Sequence, residues 1–220
     1  MRIEIVLGFQ ILKGVGIMRI GAFIRSLLVG TLCLLSLPCI SMAQSTQSQN
    51  GMRPMNAEMR ALIAEDDVEQ KDPLHMDFEK TAVAALARRG RVKTLLTEGK
   101  LVNGGDYRVA AFIFQHGTTT NDYLIAHVLA NVAISKGDRS ALWISNATLD
   151  RYLMTIGQKQ ILGTQFVQEN GPDRPFTQGG YDRDLIPDTV RNSLGVRTLS
   201  EQTAYLETLE SYRIKDRKNE

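Results

Sequence analysis

Residues 107 to 157 carry three apolar stretches separated by breaks of only a few residues. No other feature limits the fold as much, because short connections force successive elements to lie antiparallel and side by side. The first stretch contains Val109-Ala110-Ala111-Phe112-Ile113-Phe114, apolar on every side. Periodicity alone does not separate a buried helix from a buried strand there. Gly117 and three threonines break it. Residues 122–135 then read as a helix with Leu124, Ile125, Val128, Leu129 and Val132 on one face, closed by Gly137. Asp138 is placed to cap a further helix, through Trp143 and Leu149 to about Ile156, that ends at Gly157.

The flanks extend this pattern. Asn56 is a cap for a helix with Met59, Leu62, Ile63 and Val68 on one stripe, stopped by Asp72-Pro73. A second helix is predicted over 78–88 and a short third through Val92, Leu95 and Leu96 to Gly99, with Asn103-Gly104-Gly105 as a turn. Beyond Gly157, residues 165–167 and 174–176 flank a Gly/Pro/Asp-rich break and suggest a small hairpin or an irregular loop. Pro187 opens a short helix ending near Gly195, and Ser200 caps a last amphipathic helix with Tyr205, Leu206, Leu209 and Tyr212. The expected fold is mainly α: a compact antiparallel helical domain over 56–214 with one small insertion, followed by a charged tail over 215–220.

Charge has to be divided before it is read. Of 26 basic and 24 acidic residues, Arg2, Lys13, Arg19 and Arg25 and the single acid Glu4 fall within residues 1–43. The rest holds 22 and 23, a net charge of −1, which speaks against an electrostatic nucleic-acid binder. From Met18 the sequence has a positive start (Arg19, Arg25), an uncharged apolar run over 26–37, Pro38, and Ser41-Met42-Ala43. These are the parts of a secretory signal cleaved after Ala43, so residues 1–17 read as an extension ahead of the true start. A membrane anchor needs about 20 apolar residues, and this run is shorter. An uncleaved leader, or lipid attachment at Cys39, is the alternative to release into the periplasm or medium, and no membrane association is expected once the leader is removed. Residues 44–55 are polar and Ser/Gln-rich, a disordered tether. Both cysteines, Cys33 and Cys39, lie in the leader, so the mature chain is expected to have no disulfide and no thiolate chemistry.

Signatures of common hydrolases and nucleotide enzymes are missing: there is no G-x-S-x-G, P-loop, H-E-x-x-H or C-x-x-C. His75, His116 and His127 are the only histidines. A hairpin could join the last two, but zinc needs three or four ligands and no spacing here compels that set, so neither metal nor cofactor is expected. Trp143 and Tyr152, Tyr181 and Tyr212 are candidates for a pocket, with core packing the simpler reading for the tryptophan.

The densest polar signal is Asp150-Arg151, then Gly157, Gln158 and Gln160, then Gly163-Thr164-Gln165. Arginine offers a planar fork suited to carboxylate or phosphate, and glutamine both donates and accepts. Equally, Asp150 and Arg151 could pin the loop through its backbone or through Asp188 and Arg191. The string D-R-Y-L-M-T-I-G-Q-K-Q-I-L-G-T-Q (150–165) resembles the D-R-x5-G-x2-Q-x2-G-T-Q signature of an uncharacterised bacterial family, the domain of unknown function numbered six-six-two-four. A-A-F-I-F-Q-H-G around His116 and V-R-N-S-L-G-V around Arg191 fall in that family's order, over roughly 92–205. The chain departs from it at Leu162, where the family has tyrosine, and at Gly117. The resemblance implies one shared polar constellation of Gln115, His116, Asp150, Arg151, Gln160, Thr164, Gln165 and Arg191, and brings no activity with it.

Three functions compete at this level. The expected one is a non-catalytic exported module that binds a small ligand or protein partner through these residues. A hydrolase-like enzyme would use His116 as base, Asp150 as its orienter and Arg151 as an anion anchor. A purely structural domain would use the set only to fasten the loop. An open cleft favours the first two, and a saturated network favours the third.

Overall fold

The computed structural model describes residues 54–69, 78–169, 171 and 174–216. The leader, most of the tether, Asp72-Pro73, His75 and the last four residues lie outside them. The described chain is mainly helical: α1 (Ala57–Glu69), α2 (Phe78–Thr97), α3 (Gly104–Gln115), α4 (Thr120–Ser135), a 3-10 turn (Arg139–Ala141), α5 (Leu142–Thr155), α6 (Asp188–Ser193) and α7 (Leu199–Asp216).

The ambiguous run 109–114 is helix α3, and its all-round apolarity has a direct cause. This helix is the centre of the domain, packed against α1, α2, α4 and α5. Val109, Ala110, Ala111, Ile113 and Phe114 are all buried, so no face needs to be polar. Asn103-Gly104-Gly105 is not a free turn. Asn103 caps α3, and Asp106 completes a capping box. The buried Asp106 carboxylate also accepts from the backbone N–H of Asn56 at 2.7 Å and of Val102 at 2.9 Å, tying the start of α1 to the start of α3. Pro54 and Met55 already belong to the domain, the first bonding Asn103 through its carbonyl and the second packing on the core. A Cβ at Gly104 would stand 2.6 Å from the Cβ of Asp138 just past α4, so glycine sets the antiparallel approach of α3 and α4.

The two segments expected at 78–88 and 92–96 are one helix. Gly90 lies within it, exposed, and costs stability without breaking the run. Helix α4 buries a different face from the one its large apolar residues mark. Tyr123, Ala126, Leu129, Ala130 and Ala133 point inward, while Leu124 and Val128 are exposed. Alanines let α3 and α5 approach closely on both sides of α4, and that contact outweighs the burial of two larger side chains. Val68 and Tyr212 are likewise exposed, although their stripes suggested otherwise. The cap of α7 is Thr198 rather than Ser200: its hydroxyl accepts from Glu201 N–H at 3.3 Å, and Glu201 accepts from Thr198 N–H at 2.7 Å.

The insertion between α5 and α6 contains no strand. It is an irregular loop with a single antiparallel bridge, Val167 to Thr177, and a parallel bridge, Gln160 to Tyr181. Helix α7 docks on this loop. Gln202 donates to the carbonyl of Leu162 at 2.8 Å, Tyr205 meets Phe166 edge-on at 5.0 Å, and Glu210 accepts from Phe176 N–H. Residues 160–181 therefore cement the C-terminal helix to the domain.

Candidate functional site

Asp150 lies near the end of α5, fully buried, and its four hydrogen bonds all go to one turn of the loop. Oδ1 accepts from the N–H of Ile161 (2.9 Å) and Leu162 (3.1 Å), and Oδ2 from the N–H (2.9 Å) and hydroxyl (2.7 Å) of Thr164. A carboxylate has about four lone-pair positions, and all are occupied.

Gln160 and Gln165 continue the clamp. Gln160 accepts Gln165 N–H at 3.0 Å and donates to the carbonyls of Gln165 and Gln178. Gln165 donates to the carbonyl of Ala147 at 3.3 Å and accepts Arg151 Nε at 2.8 Å. Two further buried glutamines join them: Gln178 donates to the carbonyl of Gly163 and to Oε1 of Gln202. Gly163, at φ +73°, takes a conformation that L side chains rarely adopt, and a Cβ on it would meet Gln202 and the Tyr181 ring.

Arg151 links this clamp to α3. Its Nη1 donates to the carbonyl of Gln115 at 3.2 Å and to Oε1 of Gln115 at 2.9 Å. Gln115 then turns its Nε2 to His116 Nε2 at 3.2 Å. The guanidinium thus orients the amide of Gln115, and that amide presents a donor to the imidazole. The matching tautomer has Nε2 accepting and Nδ1 protonated, assigned from the network. Nδ1 faces Asp66, 2.9 Å from Oδ2, and Asp66 also meets Arg88 at 3.2 Å.

Seven of the eight sequence-selected residues thus form one connected chain. Arg191 stands apart from it: it donates to the carbonyls of Ile186 (2.7 Å) and Arg183 (2.8 Å), lies 3.6 Å from Asp188 and faces the Tyr181 ring. The carboxylate on His116 is Asp66 and not Asp150. His127 is separate too, bonded to the carbonyl of Ser145 at 2.9 Å and to Asn131 at 3.0 Å, which fastens α4 to α5. Trp143 stacks on Phe112 against the core. Among the described residues, no three His, Cys, Asp or Glu side chains are grouped to hold a metal ion, and no helix is long and apolar enough to cross a membrane.

Sequence reasoning missed Asp66, Tyr123, Gln178 and Gln202. Asp66 sits in Glu65-Asp66-Asp67, which looks like a solvated acidic run; only its place on the Met59–Leu62 stripe marks it as inward. Tyr123 is buried at the start of α4. Burial pushes its phenol up from the usual tyrosine value, Arg151 pulls it down, Asp122 adds to the rise, and Arg89 again opposes. Burial also lowers the Arg151 guanidinium from its ordinary value, with Tyr123 opposing. No family model, curated protein or solved structure matches the chain.

Proposed function

We propose that this is an exported, non-catalytic ligand-binding module whose Asp150–Gln165 clamp builds the fold and whose ligand is taken where the polar network stays open, at Arg151. A general base needs a free lone pair directed at its substrate. The Nε2 lone pair of His116 is taken by Gln115, and the oxygens of Asp150 are taken by the loop. The observation that carries ligand binding is the Arg151 guanidinium, buried with no carboxylate facing it among the described residues. The saturation of the rest favours a second reading, a purely structural domain, and one experiment separates the two.

That experiment is a thermal-shift screen of the chain, purified after export from a bacterial host, against metals, sugars, peptides, nucleotides and cell-wall fragments. A ligand of the folded state raises Tm by mass action. A concentration-dependent rise that is lost in Arg151→Lys supports the module. If no compound shifts wild type and Arg151→Lys merely melts lower, the domain is structural. The intact mass of the same preparation tests export: cleavage after Ala43 is expected, and an uncut chain would refute the leader reading.

A further inference from the structure

Three arginines are buried in the domain, and two have an acid beside them. Arg88 lies 3.2 Å from Asp66, and Arg191 lies 3.6 Å from Asp188. Arg151 differs. Its Nε and Nη1 donate only to neutral acceptors, Gln165 Oε1 and the carbonyl and Oε1 of Gln115. Among the described residues no acceptor meets Nη2. The adjacent Asp150 is turned to the loop and spends its charge on four donors there.

The surroundings do not supply the missing charge. Asp66 serves Arg88 and His116, and Asp122 caps α4 and lies 3.8 Å from Arg89. Tyr123, one turn into α4, lies in the electrostatic field of Arg151 and Arg89. Its hydroxyl makes no hydrogen bond among the described residues. Two unused donor groups, one of them cationic, thus lie within each other's field, next to the turn that joins α3 and α4. Arg151 keeps 6% of its surface exposed and Tyr123 4%, so the opening is narrow. A buried cation without a counter-ion is costly, and an anion from outside is the simplest compensation. The fork of a guanidinium matches the oxygens of a carboxylate or a phosphate.

We propose that Arg151 Nη2 and the Tyr123 hydroxyl form a binding site for the terminal oxyanion of a small ligand, a carboxylate or a phosphate group. The inference rests on the binding-module reading and names the chemistry of its ligand. The oxyanion accepts from Nη2 and from the phenol, while the rest of the ligand stays outside along the start of α4.

The test is calorimetric titration of the purified chain with sodium acetate and with sodium phosphate at constant ionic strength, with sodium chloride as control. Saturable binding of one oxyanion and not of chloride is expected, and whichever of the two binds fixes the class. Tyr123→Phe leaves the Asp150 clamp and the Arg151–Gln115 bonds in place. It is expected to bind about tenfold more weakly, the loss of one charge-assisted hydrogen bond. Arg151→Lys keeps the charge but loses the fork, and should also weaken binding; if it does not fold, Tyr123→Phe decides. No saturable binding, or equal binding by wild type and Tyr123→Phe (an adventitious ion only), overturns the site. A neutral or cationic compound from the screen that stabilises wild type and Tyr123→Phe alike leaves the module standing while removing the oxyanion site. Silence in both experiments removes both.

Discussion

Replacing Asp150 by asparagine tests the clamp with almost no change of shape. The amide keeps one oxygen, which can retain either the Ile161 and Leu162 pair or the Thr164 pair. If the oxygen stays on Ile161 and Leu162, the new NH2 faces Thr164. The threonine hydroxyl can rotate to accept from it, but the Thr164 N–H is left buried without a partner. An orphaned donor costs about 1–3 kcal/mol. The two retained bonds also fall from charge-assisted to neutral, roughly 1 kcal/mol together. The expected loss is about 3 kcal/mol, a large share of the roughly 5–15 kcal/mol that holds a domain folded. Urea denaturation should show it as a lower midpoint with an unchanged slope. Hydrogen exchange should show where it acts: the amides of Ile161, Leu162 and Thr164 lose protection by on the order of a hundredfold, the factor that corresponds to the energy. A loss below about 0.5 kcal/mol, within the range of an ordinary surface substitution, would refute the clamp. So would a full loss of stability with exchange at those three amides unchanged.

Three further perturbations probe other parts of the fold. Gly163→Ala should cost about 2–4 kcal/mol, because the backbone is left-handed there and the new Cβ meets Gln202 and Tyr181; proteolysis should then release α7 first, and cleavage no faster than wild type would count against it. Gly90→Ala has the opposite sign: nothing lies within 4 Å of the added carbon in the middle of α2, so a gain of about 0.5–1 kcal/mol is expected in the thermal midpoint. Burial works to raise the Asp138 carboxyl, but the Ser140 hydroxyl and the Arg108 guanidinium outweigh it and hold it below its ordinary 3.8. A depressed folded value stabilises above the unfolded one and is lost as pH falls through it. Stability should therefore drop as pH falls below about 3.8, and Asp138→Asn should flatten that part of the melting-temperature profile while lowering Tm at neutral pH.

The sequence carried the helices but not the faces they bury. Caps and breakers are local chemistry, so Asn56, Asp138, Gly137 and Gly157 marked boundaries that the structure keeps. Burial depends on which helix approaches and how closely. The large residues Leu124 and Val128 pointed to one face of α4, and the alanines that permit contact with α3 and α5 set the other. A gap in a pattern was equally misleading at Gly90, where an exposed glycine weakens a helix without ending it.

The polar constellation divides in the same way. Asp150, Arg151, Gln160, Thr164 and Gln165 lie within 16 residues, and their density on an apolar background was legible as one unit. That Asp150 spends its charge on the loop, that His116 answers to Asp66, and that Gln178 and Gln202 complete the lattice were settled by contacts spanning 11 to 50 residues of chain. Hydrogen bonds are directional and short, so a residue type shows what a side chain can bond. Only the packed helices fix which partner comes within 3 Å, and which donor, at Arg151, is left without one.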